Sequence, residues 1–186
     1  MAGRRAHLRQ KHCRPQADGG LQGDNRDMDR FVSNYTLRLD AKGRVSIPAQ
    51  FRQVLARDGF EGLYCYPTLD RLAIDAGGNA LLTEIEQLIT QYPPYSVERE
   101  SLSAALYGTS ETLNVDTEGR VILTERLRSH AGIASAVSFV GLGHKFQIWE
   151  PDRFRAQLAE ATETVRMLKL QLGSRRAAQD ALGARE

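Results

Sequence analysis

From Phe31 onward apolar and polar residues alternate: Tyr35, Leu37 and Leu39 fall on one face, Thr36 and Arg38 on the other, which predicts a half-buried strand. Asp40-Ala41-Lys42-Gly43 follows, an acid able to hold turn N–H groups and a glycine free to take positive φ, so a hairpin turn is expected. Alternation resumes over Arg44 to Ile47 with Val45 and Ile47 inward. Pro48 then opens a short helix with Phe51, Val54 and Leu55 on one face, and Gly59 stops it. Leu63 to Tyr66 and Leu72 to Asp75 read as two more strands. Over 79–92 the period becomes helical: Leu81, Leu82, Ile85, Leu88 and Ile89 form one stripe behind Asn79 as N-cap, and Pro93-Pro94 ends it. A second helix is expected from Ser96, with Glu98 and Glu100 in its first turn and Leu102 and Leu106 packed before Gly108.

The segment Leu37 to Ile47 then returns as Leu113 to Leu123. Asp40 recurs as Asp116, Gly43 as Gly119, Arg44 as Arg120 and Val45 as Val121. Phe51-Arg52 answers to Leu127-Arg128, with Thr124 as N-cap where the first copy has Pro48. Val137 to Val140 and Phe146 to Trp149 replay the two later strands, Ile148 answering Ile74. Each unit reads strand, turn, strand, helix, strand, strand. A unit this small buries little apolar surface alone, so two copies are expected to share one core. The fold class that follows is α+β: two tandem hairpin/helix repeats, 28–78 and 110–150, in one pseudo-twofold domain, with a helical linker over 79–109. Asp and Gly are what such a turn needs structurally. Arg44 and Arg120 are not required by turn geometry, and a ligand or subunit contact would account for them.

Trp149-Glu150-Pro151-Asp152 ends the last strand and opens a helix over 151–172 in which Phe154, Leu158, Ala161, Val165, Leu168 and Leu172 recur at spacings of three and four. That stripe serves either the chain's own core or a seam with a neighbouring subunit. Gly173 is expected to stop the helix, leaving 173–186, with Arg175, Arg176 and Arg185, as a frayed tail.

Composition changes this picture little. The 186 residues carry 25 Lys plus Arg against 23 Asp plus Glu, a net charge of +2. The excess is local, because Arg4, Arg5, Arg9, Lys11, Arg14 and Arg26 outnumber Asp18, Asp24 and Asp27 within 1–27. Bulk charge therefore does not announce a nucleic-acid partner; a basic surface would have to be made by placement. Residues 1–27 lack periodicity and are expected to be a disordered or mis-started extension. No apolar run approaches the roughly 20 residues of a membrane span. Cys13 and Cys65 have no paired spacing, which disfavours a disulfide or metal site and suits a reducing interior; Cys65 reads as a small buried hydrophobe. His7, His12 and Cys13 do not make a metal set, and no cofactor is expected. His130 and His144 are the only histidines after the tail, no nucleophile–base pattern accompanies them, and Gly141-Leu142-Gly143 lacks the rest of a dinucleotide fingerprint. An enzyme is not expected.

The duplicated turn, the passage Lys42-Gly43-Arg44-Val45-Ser46-Ile47-Pro48 followed by Phe51-Arg52, and the helix-rich linker together resemble the MraZ family over residues 31–172. That family is similar to the AbrB-like swapped-hairpin DNA-binding fold. The resemblance implies a bacterial, cytoplasmic and nucleoid-associated transcriptional regulator of the division and cell-wall gene cluster, its own promoter included. It also implies a ring-shaped homo-oligomer on repeated elements in double-stranded DNA. The family's D-x-x-x-R segments face DNA, which carries over to Asp40, Arg44, Asp116 and Arg120, with Lys42 an added basic position and Arg38 outward on the same ribbon. The second copy departs by having Glu118 where the first has Lys42, so Lys42 and Arg44 rank above Arg120. A two-stranded ribbon fits a major groove, arginine reads guanine or phosphate bidentately, and a ring multiplies weak contacts. Phe154, Leu158, Val165, Leu168 and Leu172 are the expected oligomer interface. Two alternatives stay open: a protein-binding ring scaffold in which Arg44 and Arg120 make subunit contacts, and an AbrB-like antitoxin, against which the duplication argues.

Overall fold

A computed structural model describes residues 30–183, with side chains described to residue 172. The expectations for 1–27, including His7, His12 and Cys13, and for Arg185 lie outside the described residues. The strands are β1 (Asn34–Arg38), β2 (Arg44–Ser46), β3 (Leu63–Pro67), β4 (Ala73–Gly77), β5 (Glu111–Leu113), β6 (Arg120–Ile122), β7 (Ala136–Gly141) and β8 (Phe146–Trp149). The helices are α1 (Ala49–Asp58), α2 (Asn79–Ile89), α3 (Val97–Leu106), α4 (Glu125–Ala131) and α5 (Pro151–Gly183). The chain is thus of mixed α+β class with antiparallel sheets.

The alternation around each turn is realised, but its strands do not pair as a hairpin would. β1 runs against β7, with Tyr35 opposite Phe139 and Leu37 opposite Val137. β2 leaves the turn to pair with β6, Val45 opposite Val121. This corrects the expected hairpin, and the reason is burial: Val45, Ile47, Val121 and Leu123 enter one common core, which a local hairpin in either half alone would not enclose. The six-stranded sheet has the order β1-β7-β8-β4-β3-β5, and β2-β6 forms a separate two-stranded ribbon. The order maps onto itself when β1 exchanges with β5, β7 with β3 and β8 with β4. Ile74 lies opposite Ile148 at the centre.

Phe51 on α1 anchors the main core, in ring contact with Phe31, Tyr35, Phe139 and Phe146. Successive strand residues point to opposite faces, and β3 uses both. Leu63 and Cys65 enter the main core, while Tyr64 and Tyr66 meet Leu81, Ile85, Ile89 and Leu106 of α2 and α3 in a second, smaller one. Cys65 is buried as expected, and burial pushes its thiol pKa up.

Helix ends show where local signals sufficed. α1 follows Pro48 and ends at Gly59 with φ 73°, Ser96 accepts from the Arg99 N–H at 3.2 Å, and Thr124 accepts from the Leu127 N–H at 3.4 Å. Asn79 is not the cap of α2: the Asp58 carboxylate, from the end of α1, accepts from the N–H groups of Asn79 and Ala80. Leu88, at the margin of the α2 stripe, is exposed rather than buried.

The final helix needs one correction, at its end, and its stripe excludes one of the two readings the sequence left open. It does not stop at Gly173 but continues to Gly183, so 173–183 is helical and not a frayed tail. A lone glycine costs a helix only about 1 kcal/mol relative to alanine, and helix-favouring residues flank it on both sides. Its stripe is also not a core face of the same chain. Phe154 is half-buried against Trp149, whereas Leu158, Val165, Leu168 and Leu172 are exposed. Among the described residues, no helix is long and apolar enough to cross a membrane, and no group of three or more His, Cys, Asp or Glu side chains is placed to hold a metal.

Candidate nucleic-acid interface

Each turn is closed on itself before anything else touches it. The Gly43 N–H donates to the Asp40 carbonyl at 2.9 Å and the Asp40 N–H to the Arg44 carbonyl at 2.9 Å. Asp40 Oδ1 accepts from the Lys42 and Arg44 N–H groups at 2.8 and 2.9 Å, and Oδ2 takes the Arg44 Nε–H at 2.6 Å. The second turn repeats this atom for atom. Asp116 Oδ1 accepts from the Glu118 and Arg120 N–H groups at 2.9 and 2.8 Å, and Oδ2 from Arg120 Nε–H at 2.8 Å. Gly43 and Gly119 both have φ 75°, a conformation an L side chain strains.

The electrostatics follow from those bonds. The Arg44 backbone N–H and then its guanidinium hold the Asp40 carboxyl down at about 2. The Arg120 backbone N–H and side chain lower Asp116 likewise, and the Asp116 carboxylate in turn raises the pKa of Arg120. Both acids stay charged through the neutral range, so each arginine has its Nε–H committed to orientation.

The two arginines belong to one surface. In the β2–β6 ribbon Arg44 lies opposite Ile122 and Arg120 opposite Ser46. Val45 and Val121 point into the core, and Arg44, Ser46, Arg120 and Ile122 share the outward face. Arg120, opposite Ser46, is displaced from Arg44 by two residue positions, roughly 7 Å along the strands. The sequence suggested one ribbon per half; the structure builds one ribbon from both halves, with an arginine at each diagonal corner.

The remaining candidates separate. Lys42 is exposed at the tip of the first turn, beside Arg44. Glu118, its counterpart, takes Arg120 Nη1 at 2.7 Å, so the second arginine has a further nitrogen tied up. Arg38 is exposed but sits on β1, opposite Ala136, and not on the ribbon. Two residues outside the candidate set also reach the turns. Arg52 of α1 lies against Gly119 and donates to the Glu118 carbonyl at 3.4 Å. Arg128 of α4 lies against Gly43. Their matching places in the duplication were the available signal, but nothing local said that each would cross to the other half's turn.

A family model described as "MraZ protein, putative antitoxin-like" matches residues 106–170. The transcriptional regulator MraZ of Xanthobacter autotrophicus is 66% identical over 148 residues, which is 80% of this chain and 94% of that protein. The chain belongs to the MraZ family. The transcriptional regulators MraZ of Azorhizobium caulinodans and Beijerinckia indica are 67% identical over 147 residues and 62% over 164, covering 79% and 86% of this chain and 94% and 100% of theirs. MraZ proteins are regulators, and the chain is not an enzyme. The MraZ family match takes in the second turn, α4, β7, β8 and most of the exposed stripe of α5.

Proposed function

We propose that this chain is a transcriptional regulator that reads double-stranded DNA with the outward face of the β2–β6 ribbon. In this reading it is built from two tandem AbrB-like units related by a pseudo-twofold axis between Val45 and Val121. Arg44 is the principal contact, Lys42 adds phosphate attraction, Arg120 contributes less, and Asp40 and Asp116 orient rather than touch. Arg38, off the ribbon, has at most a peripheral place. The observation that carries the reading is the presentation of two carboxylate-clamped arginines on one exposed, thin ribbon. A B-form major groove about 12 Å wide admits such a ribbon, and a pre-oriented guanidinium loses less freedom on meeting a guanine edge or phosphate.

One ribbon offers few contacts. The exposed row Leu158, Val165, Leu168 and Leu172 on α5 supports assembly of several copies through that helix, with Phe154 at its base. A ring engaging repeated elements upstream of its own gene and the division and cell-wall cluster would gain through effective concentration, in the cytoplasm at the nucleoid. The test is footprinting and affinity measurement on that upstream DNA with Arg44→Ala and Arg120→Ala. Arg44→Ala is expected to keep fold and assembly mass while weakening operator binding by about 1–3 kcal/mol per engaged site, and Arg120→Ala less. Normal binding by Arg44→Ala together with a dissociated assembly would make the arginine a subunit contact and favour the scaffold reading.

A further inference from the structure

Every bond that closes a turn is local, yet what each turn leans on comes from the other half of the chain. The Gly43 carbonyl accepts from the Leu123 N–H at 3.1 Å, and the Gly119 carbonyl from the Ile47 N–H at 2.9 Å. The side-chain supports cross in the same way. A Cβ placed on Gly119 would stand 2.4 Å from Arg52 Cδ and Nη1, so only glycine lets that arginine lie flat on the turn, and Arg52 Nη1 also donates to the neighbouring Glu118 carbonyl. A Cβ on Gly43 would stand 3.5 Å from Arg128 Cζ and Nε, in ordinary contact. Arg128 is held from its own helix by Glu125, through Nη2, and its buried Nε has no hydrogen-bond partner.

We propose that Arg52 and Arg128 are crossed positioning residues. Arg52, from the first half, fixes the pose of the turn that carries Arg120, and Arg128, from the second half, fixes the pose of the turn that carries Arg44. This rests on the reading of the ribbon as the DNA-facing surface. The clamp within a turn sets each arginine relative to its own backbone; the β2–β6 ladder sets the strands, and the two glycine carbonyl bonds and the crossed arginines hold the turns at its ends relative to each other. That mutual geometry is what a ribbon must hold for two arginines to meet one groove together. The braces are unequal: Arg52 bonds the backbone of the turn it supports, whereas Arg128 only packs against its turn.

Hydrogen–deuterium exchange by mass spectrometry on the full chain tests the crossing without DNA. Arg52→Ala is expected to speed exchange about tenfold in the segment holding Asp116–Arg120, at unchanged exchange around Asp40–Arg44. Arg128→Ala is expected to do the reverse, by a smaller factor. Arg52→Lys, which keeps the stem and loses the fork, should fall between wild type and alanine. Loosening of both turns, of the turn in the same half, or of neither overturns the brace.

On DNA, Arg52→Ala should lower operator affinity severalfold, by no more than Arg120→Ala does, with an unchanged dependence on salt, because a positioning residue neutralises no phosphate. A shallower salt dependence would make Arg52 a phosphate contact and overturn the proposal. Crossed loosening with unchanged operator affinity overturns the role in DNA recognition, and Arg44→Ala in the same assay shows where the fault lies. Should Arg44→Ala also bind normally, the DNA reading has failed; should it bind weakly, the positioning role alone has failed.

Discussion

Glu118 grips Arg120 Nη1 at 2.7 Å in the second turn, while the matching position beside Arg44 is Lys42. The two corners of one ribbon therefore differ in charge by two units through a single site.

Glu118→Lys should erase that difference. Glu118 is exposed and its side chain bonds only Arg120, an exposed pair of the kind that adds little to stability, so the fold should be nearly unaffected. Operator affinity should rise, and the slope of log affinity against log salt should steepen by about 1 to 2, each added phosphate contact contributing about 0.9. Affinity measured at several salt concentrations checks this; an unchanged slope would mean that the second corner does not face phosphate.

Acid should release the clamps only well below neutrality. The Asp40 carboxyl titrates at about 2 in the folded chain against an ordinary 3.8. A depressed folded value places the clamp's contribution fully in force above about 4 and removes it as pH falls toward about 2. Carbon-detected NMR titration of the Asp40 carboxyl should show that low midpoint, and Asp116 should also titrate below the usual range. A midpoint near 4 would mean that the Arg44 contacts are not maintained in solution.

Leu158→Asp combined with Leu168→Asp tests the last helix. The two side chains are 48% and 51% exposed in the single chain, so carboxylates there should leave the thermal melt of the domain in place. Light scattering should nevertheless show a smaller assembly, because in the assembly they would enter an apolar seam. An unchanged mass removes α5 from the interface.

How far the sequence could be read depended on the distance over which each feature is decided. Pro48, Gly59 and Ser96 act within one helical turn, and the helices they bound were legible. The Asp–Gly–Arg turns were legible because they occur twice. Alternation shows which residues face inward but names no partner strand, so the exchange of β1 to β7 and β2 to β6 was not visible in either copy alone. Asp58 capping α2 and Arg52 lying on Gly119 are long-range contacts of the same kind. The end of α5 was misread because glycine was given the weight of a stop without the left-handed cap that makes it one, as at Gly59.

The exchanged strands also impose an order on biosynthesis. A nascent chain that has emerged as far as Pro67 carries β1 and β2 with no strand to receive them. Asn34 must wait for Val140, and Arg44 for Ile122. Only β3, β4 and α2 can begin to dock early, since β3 and β4 are neighbours in both sequence and sheet. The open edge of β2 must therefore be kept apart from those of other ribosomes until β6 is made and that of β1 until β7 is made, so the ribbon that sets both arginine-bearing corners side by side comes late. A ribosome stalled within α3 would release a fragment that carries β2 without β6, and so no two-stranded ribbon.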